Sequence, residues 1–417
     1  MGYLFSVFIF LGVILLIFGL MQYYEYRTIR RWIRAAFEPD RGGKIRRTLF
    51  VILAICNGLL IGQLMLRGNT AYESPLLQFT VVFPAGIFFA VVVLGFLLTF
   101  LKDVVRLVLF WTRRVVRLIG HRAKQGSPTV DPHAGAEISE GRRRFLRLSG
   151  TAAAGFTLAT PLVSAMASPR DYRISRVSLS FPNLPSGLNG LTITQISDVH
   201  SGIYMTESHM MEIVELANSL HGNIVALTGD HVDNSDAQIP SVQRAMKELK
   251  SDYGVFGCLG NHDHFATAEK VSAALQQVNV TMLDNAHRTL AINGGKISFV
   301  GVDDAGRGLS NFARLDDALR GLDPETFKIL LSHRPEFFPR AKEAGMDLTL
   351  AGHTHGGQVG IEFWGVNLNP AYLVTKYVRG LFNEEGRQMY VNVGVGMVAV
   401  PIRIVRPEIT LFTLQRS

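Results

Sequence analysis

The chain has 417 residues, more than one ordinary domain needs, and 48% of them are hydrophobic, a share that points to membrane segments. Its net charge of +8 is unevenly divided: residues 1–169 carry 20 Lys and Arg against 8 Asp and Glu (+12), and residues 170–417 carry 22 against 26 (−4). A basic excess confined to the apolar part is a membrane-topology signal and excludes nucleic-acid binding as its explanation. The two cysteines, Cys56 in an apolar run and Cys258 at the end of a strand-like segment, exclude a disulfide framework.

Three uncharged apolar runs come first, Leu4–Met21, Thr48–Leu66 and Leu76–Leu101, each long enough as a helix to cross about 30 Å of hydrocarbon. Pro84 inside the third is expected to kink it, which membrane helices tolerate. Eight basic residues from Arg27 to Arg47 separate runs one and two, and seven from Lys102 to Lys124 follow run three. Only Arg67 falls between runs two and three. The positive-inside rule makes both basic loops cytoplasmic and turns the N-terminus outwards.

Within Lys102–Gly120, residues Lys102, Asp103, Arg106, Arg113, Arg114 and Arg117 share about a third of a helical wheel, and the rest is apolar apart from Phe110 among the charges. This is expected to be an amphipathic helix on the inner membrane surface, with a cytosolic partner helix as the alternative. Residues 1–122 thus form a transmembrane region and 123–141 a linker rich in Pro, Gly and Ser. Residues 142–169 begin with Arg142-Arg143-Arg144-Phe145-Leu146-Arg147 and contain Ala165-Met166-Ala167. They resemble a twin-arginine export signal with a peptidase site, placed internally, and a fourth membrane helix is the competing reading. Either one sends residues 170–417 across the membrane.

In that last segment, Leu191–Ser197, Asn223–Thr228, Gly254–Leu259, Lys296–Val302, Phe327–Ser332, Asp347–Ala351 and Met389–Val393 read as mostly buried strands. Glu207–Leu220, Ile239–Lys250, Ala266–Val278 and Glu336–Ala344 read as helices. The alternation implies an α/β fold with parallel sheet and helices outside, and ligands at the carboxyl ends of the strands.

Polar fragments follow several of those runs: Asp198-Val-His200, Gly229-Asp230-His231-Val232-Asp233, Gly260-Asn261-His262-Asp263, His333 and Gly352-His353-Thr354-His355. Each alone is weak, but five in order are not coincidental. Carboxylates, imidazoles and an amide carbonyl without thiolate suit divalent Mn, Fe or Zn. The donors outnumber what one ion needs, so two metal ions are expected, about 3.5–4 Å apart, as a clamp for displacement at phosphorus.

The order D-x-H, G-D-x-x-D, G-N-H-D, H, G-H-x-H resembles the calcineurin-like metallophosphoesterase superfamily. Gly352–Gln358, Tyr390–Gly396 and Arg406–Thr410 resemble its bacterial membrane-associated phosphohydrolase branch, over about residues 172–417. The resemblance implies two facing mixed β-sheets flanked by helices in a domain spanning 170–417. It implies one metal on Asp198, His200 and His355, the other on Asn261, His333 and His353, and Asp230 bridging them together with the attacking hydroxide. His262 is implied as a non-ligand over the scissile phosphate, either a general acid or a donor to transition-state oxygen, oriented by Asp233. His231 and His264 receive no role and are expected to be solvated.

Together these readings describe a metal-dependent phosphoric ester hydrolase, a phosphodiesterase or pyrophosphate hydrolase, in a bacterial inner membrane with its catalytic domain outside. The expected partners are membrane lipid, a phosphorylated small molecule or lipid-linked envelope substrate, and the twin-arginine translocase during export. A metal-loaded membrane sensor without turnover is the alternative.

Overall fold

The computed structural model describes residues 2–66, 77–121, 171–306, 311–358, 360–363, 366–398 and 403–417. The expected linker, the 142–169 signal or fourth helix, and the loop bearing Arg67 lie outside these. The chain divides into two compact units, one helical and N-terminal, the other containing the motif residues.

The N-terminal unit contains α1 (Gly2–Ala36), α2 (Pro39–Leu66) and α3 (Phe83–His121). Among the described residues, two stretches are long and apolar enough to cross a membrane, Pro39–Gln63 and Thr80–Arg114. Run one is helical within α1. Helical structure runs on through Pro84, which is the second residue of α3 and directly follows a π-helical turn at Gln78–Val82, the local irregularity that commonly accompanies a proline within a helix. Lys102–Gly120 is not a separate element. No Gly or Pro interrupts the chain at Leu101–Lys102, so the helix of run three continues unbroken to His121. Phe18 on α1 stacks on Phe89 of α3 at 5.1 Å, and Tyr24 donates to the Asp103 carboxylate at 2.6 Å. Gln22 and Asn57 exchange amide hydrogen bonds of 2.9 and 3.0 Å, the kind of polar contact that holds helices together where apolar contacts give no preference over lipid.

The second unit starts with β1 (Arg173–Phe181), β2 (Thr192–Ile196), α4 (Glu207–Ser219), β3 (Ile224–Thr228), α5 (Ile239–Met246), β4 (Val255–Cys258), α6 (Ala268–Gln276) and β5 (Val280–Met282). It continues with β6 (Ala286–Ile292), β7 (Gly295–Gly301), α7 (Leu315–Ala318), β8 (Phe327–Leu331), α8 (Phe338–Glu343) and β9 (Leu348–Ala351). The short pair β10 (Ile361–Phe363) and β11 (Val366–Leu368), then β12 (Gly380–Glu384), β13 (Arg387–Val391) and β14 (Glu408–Arg416), complete it.

Two six-stranded sheets result, ordered β1-β14-β2-β3-β4-β5 and β12-β13-β9-β8-β7-β6. Both are mixed. β2 to β5 run parallel, as do β13-β9-β8-β7, but β14 runs antiparallel to β2, and β12 and β6 are antiparallel edges. Helix–strand alternation alone implied parallel pairing and missed these strands.

The sheets face each other across one core that includes Phe181, Ile193, Phe256, Phe299, Phe327, Ile329, Leu350 and Phe412. Each outer face is covered as well: α4, α5 and α6 pack on Val225, Leu227 and Val255, while α7 and α8 pack on Val300, Leu330 and Val391. Burial on both faces explains why the central strands read as continuous apolar runs instead of alternating ones. Phe299 is fully buried and stacks on Phe256 at 4.7 Å across the sheets. Phe299→Ala is therefore expected to cost about 3–5 kcal/mol, read as a lowered thermal midpoint with metal content per folded molecule unchanged.

Candidate metal centre

The donors sit where strands end. Asp198 and His200 follow β2, Asp230 and Asp233 follow β3, and Asn261 and His262 follow β4. From the facing sheet, His333 follows β8, and His353 and His355 follow β9. Asp198, His200, Asp230, His353 and His355 all have left-handed φ, between 49° and 70°. Such conformations cost about 1–3 kcal/mol each in non-glycine residues and persist only where surroundings enforce them. The enforcement is visible here, because Asp198 N–H donates to Gly229 O at 3.1 Å and His200 N–H to Asp230 O at 2.9 Å. Glycine is required beside them. A Cβ at Gly352 would fall 1.9 Å from Ser197 Oγ and 2.3 Å from Asp198 Oδ2, and one at Gly260 would fall 2.3 Å from Asp230 Oδ1.

Two groups of donors form. In one, Asp198, His200 and His355 converge, with His200 Nε2 3.0 Å from His355 Nε2 and His355 Nε2 3.4 Å from Asp198 Oδ1. In the other, Asp230, His333 and His353 converge, with His333 Nε2 3.0 Å from Asp230 Oδ2 and 3.2 Å from His353 Nδ1. Asp230 Oδ2 also lies 3.6 Å from His200 Nε2, so this carboxylate stands between the groups. His333 donates its Nδ1 proton to Thr228 O at 2.8 Å, leaving Nε2 to face the centre. A third grouping, His200, Asp233 and His262, overlaps the first.

The electrostatics suit cations. Burial and neighbouring positive groups hold His200, His353 and His355 well below the usual imidazole range, which leaves them neutral with lone pairs to offer. Burial, reinforced by the Asp230 charge, pushes Asp198 up to about 6. Asp230 moves the other way, because His333 and His262 outweigh its burial and hold it well below the usual carboxylate range. The Asn261 amide oxygen is buried with no hydrogen-bond partner among the described residues. An unsatisfied buried acceptor is costly, and a divalent ion is the partner this donor set lacks. The residues fit such ions.

Against its burial, the Asp230 carboxylate carries His333 up to about 10, and His262 is raised as well. Burial works against its imidazolium, but Asp230 and Asp233 together carry it up to about 9. Its Nδ1 lies 2.5 Å from the Asp233 backbone carbonyl and 3.4 Å from the Asp233 carboxylate. The orienting group nearest to Nδ1 is the main-chain carbonyl of Asp233. With Nδ1–H held there, Nε2–H remains to donate.

Three residues, His231, His264 and Arg334, were missed or misplaced by sequence reasoning. His231 is buried, not solvated: Asp263 accepts from its ring Nδ1 at 3.0 Å, from its backbone N–H at 2.8 Å and from Gly260 N–H at 2.9 Å, tying two motif loops together. His264 is held by Asp303 at 2.7 Å and stacks on Phe312 at 4.1 Å. Arg334 is clamped by buried Asp304 at 2.6 Å and points Nη1 at His353 Nε2, 3.0 Å away. Its position directly after His333 is the only signal the sequence carried for it.

Residues 191–357 match the family model for calcineurin-like phosphoesterases. An uncharacterised metallophosphoesterase of Bacillus subtilis, YkuE, is 31% identical over 239 residues, covering 56% of this chain and 82% of that protein. An uncharacterised metallophosphoesterase of Campylobacter jejuni is 26% identical across 98% of both chains, so the similarity includes the helical region. The bovine transmembrane protein with metallophosphoesterase domain is 28% identical over 66% of this chain, which spans 64% of that protein. With two helices long enough to cross a bilayer, the relationship marks this chain as membrane-associated. It belongs to the calcineurin-like metallophosphoesterase family and is a metal-dependent phosphoester hydrolase.

Proposed function

We propose that the chain is a dinuclear phosphodiesterase or pyrophosphate hydrolase acting on a phosphorylated envelope or lipid-linked substrate at the outer face of a bacterial inner membrane. The observation that carries it is the pairing of two donor groups through Asp230, with the His262 ring held by the Asp233 carbonyl beside them. When bound, a pair of divalent ions supplies Lewis-acid polarisation of the phosphoryl oxygens and acidifies a water. The chain's own residues do the rest. Asp198, His200 and His355 would hold one ion, Asn261, His333 and His353 would hold the other, and Asp230 would serve both. The Asp233 carbonyl fixes the His262 ring, and His262 Nε2–H protonates the departing oxygen. Arg334, set by Asp304, adds a fixed positive charge beside His353.

The test uses the purified full chain with Mn²⁺ on aryl phosphomonoesters, phosphodiesters and a polyprenyl diphosphate. Turnover that chelation abolishes and Mn²⁺ restores, strongest on diester or diphosphate, is expected. Hydrolysis restricted to monoesters overturns the substrate reading.

The proposed orientation has its own check. A reporter fused after Ser417 is expected to read extracytoplasmic and one near Gly126 cytoplasmic. Replacing Arg142, Arg143 and Arg144 by Lys blocks export if a twin-arginine translocase carries the domain, and leaves it unchanged if residues 142–169 are a plain membrane helix.

A further inference from the structure

One exposed turn is not explained by the catalytic reading. Tyr372, Leu373 and Val374 are 48%, 91% and 76% exposed, three large side chains in succession of which the last two have little cover. Scattered apolar residues are ordinary on a surface, but a run of this kind marks an interaction site. The turn is short and rigidly placed. It comprises the 3-10 helix Pro370–Leu373, with Asn369 as its cap accepting from Ala371 N–H at 3.0 Å.

Both of its ends are fastened to the metal centre. Asn369 donates to Gly356 O at 2.7 Å, and Thr354 donates to Val378 O at 2.6 Å. These two bonds bracket His355, so the exposed tip is mechanically continuous with a metal-ligating histidine. On the histidine cluster's other member, Phe265 packs its ring 4.8 Å from His262 while remaining 62% exposed. Apolar surface therefore occurs on two chain segments that adjoin the reacting groups.

Charge beside the turn indicates what covers it. Asn369 and Gly360 line a cavity of about 250 Å³ together with Arg173, Arg379 and Arg406. Lys376, 70% exposed at its side chain and paired with Glu384 at 2.9 Å, follows Val374 by two residues. Arg173 and Arg406 are steadied by Glu408 at 3.1 Å and Asp171 at 2.6 Å, which fixes their place without filling the cavity. An apolar tip next to a basic cavity is the pattern of a segment that enters the headgroup boundary of an anionic bilayer, acyl-facing at the tip and phosphate-facing behind it. A protein partner is the less suited occupant, because a fully exposed tip with a cationic hollow behind it gives it no matching apolar groove to close.

We propose that Tyr372–Val374 is a membrane-docking turn that inserts into the anionic leaflet holding the substrate, with the arginine-lined cavity receiving a lipid phosphate. This rests on the lipid-linked reading of the substrate and deepens it: the bilayer presents the phosphoester directly to the centre bracketed by the same loop.

The experiment places a nitroxide at Leu373→Cys in the full chain, in a Cys56→Ala background, since Cys258 is buried. The chain is reconstituted in nanodiscs of phosphatidylcholine with and without phosphatidylglycerol, with Glu385→Cys on an exposed hairpin as aqueous control. Docking predicts that the label at 373 gains collisions with dissolved oxygen and loses them with a water-soluble nickel chelate, more so with phosphatidylglycerol. Nickel access equal to that at 385 overturns the proposal, and so does protection from both reagents, which signals a protein contact. In parallel, Leu373→Ser with Val374→Ser is expected to lower turnover of a polyprenyl diphosphate in the disc by about tenfold or more while leaving a soluble aryl phosphodiester untouched. Equal loss on both substrates overturns it too. A docked label without any turnover of the lipid diphosphate leaves the turn's role standing and removes only the substrate reading.

Discussion

Asp230→Asn is expected to empty both ion positions and to lower turnover by at least about 10³-fold, the largest effect of any single substitution in the centre. The change is isosteric. Asp230 Oδ1 accepts from the His262 backbone N–H at 2.8 Å, a bond an amide oxygen keeps, so the loop remains in place. What disappears is a formal charge between the two donor groups, 3.0 Å from His333 Nε2 and 3.6 Å from His200 Nε2. Each group has only one carboxylate, Asp198 in the first and Asp230 in the second, and the remaining donors supply no negative charge. Two divalent ions then face a single negative side chain, held in a buried site where uncompensated charge is costly. Metal content by mass spectrometry and turnover are measured on the same preparation, and two retained ions with near-normal turnover would sink the bridging assignment.

The donors were legible because metal chemistry restricts residue type more tightly than folding does. Asp198, Asp230, Asn261, His333, His353 and His355 each follow a short apolar run, and parallel strands deliver such ends to one edge. What the sequence hid depends on distant partners. Whether His231 is solvated or buried turns on Asp263, 32 residues away, and on no local pattern. His264 is caged by Asp303 and Phe312, and Arg334 is aimed by Asp304. β1 and β14 pair in parallel over nine residues although Arg173 and Glu408 are 235 positions apart, a pairing that periodicity within a window does not register. The helical region failed differently. The basic residues after Leu101 suggested a new element, but helices end at capping residues and breakers, and none stands there.

The second large effect belongs to His262. His262→Ala is expected to keep both ions and to lose on the order of 10²–10⁴-fold in rate, the usual worth of a positioned proton donor. Its ring contributes no atom to either donor group that shares Asp230, and its Nδ1 is committed to the Asp233 carbonyl. The loss is expected to shrink for phosphoesters of acidic phenols, whose leaving oxygens need little protonation, and to be largest for alkyl esters. That dependence separates an acid from a residue that merely packs, because removing the ring contact with Phe265 would slow all substrates alike. The overlapping group of His200, Asp233 and His262 supplies the opposing outcome. If metal content falls as steeply as the rate, His262 is itself a ligand, and proton transfer to the leaving group must be assigned elsewhere.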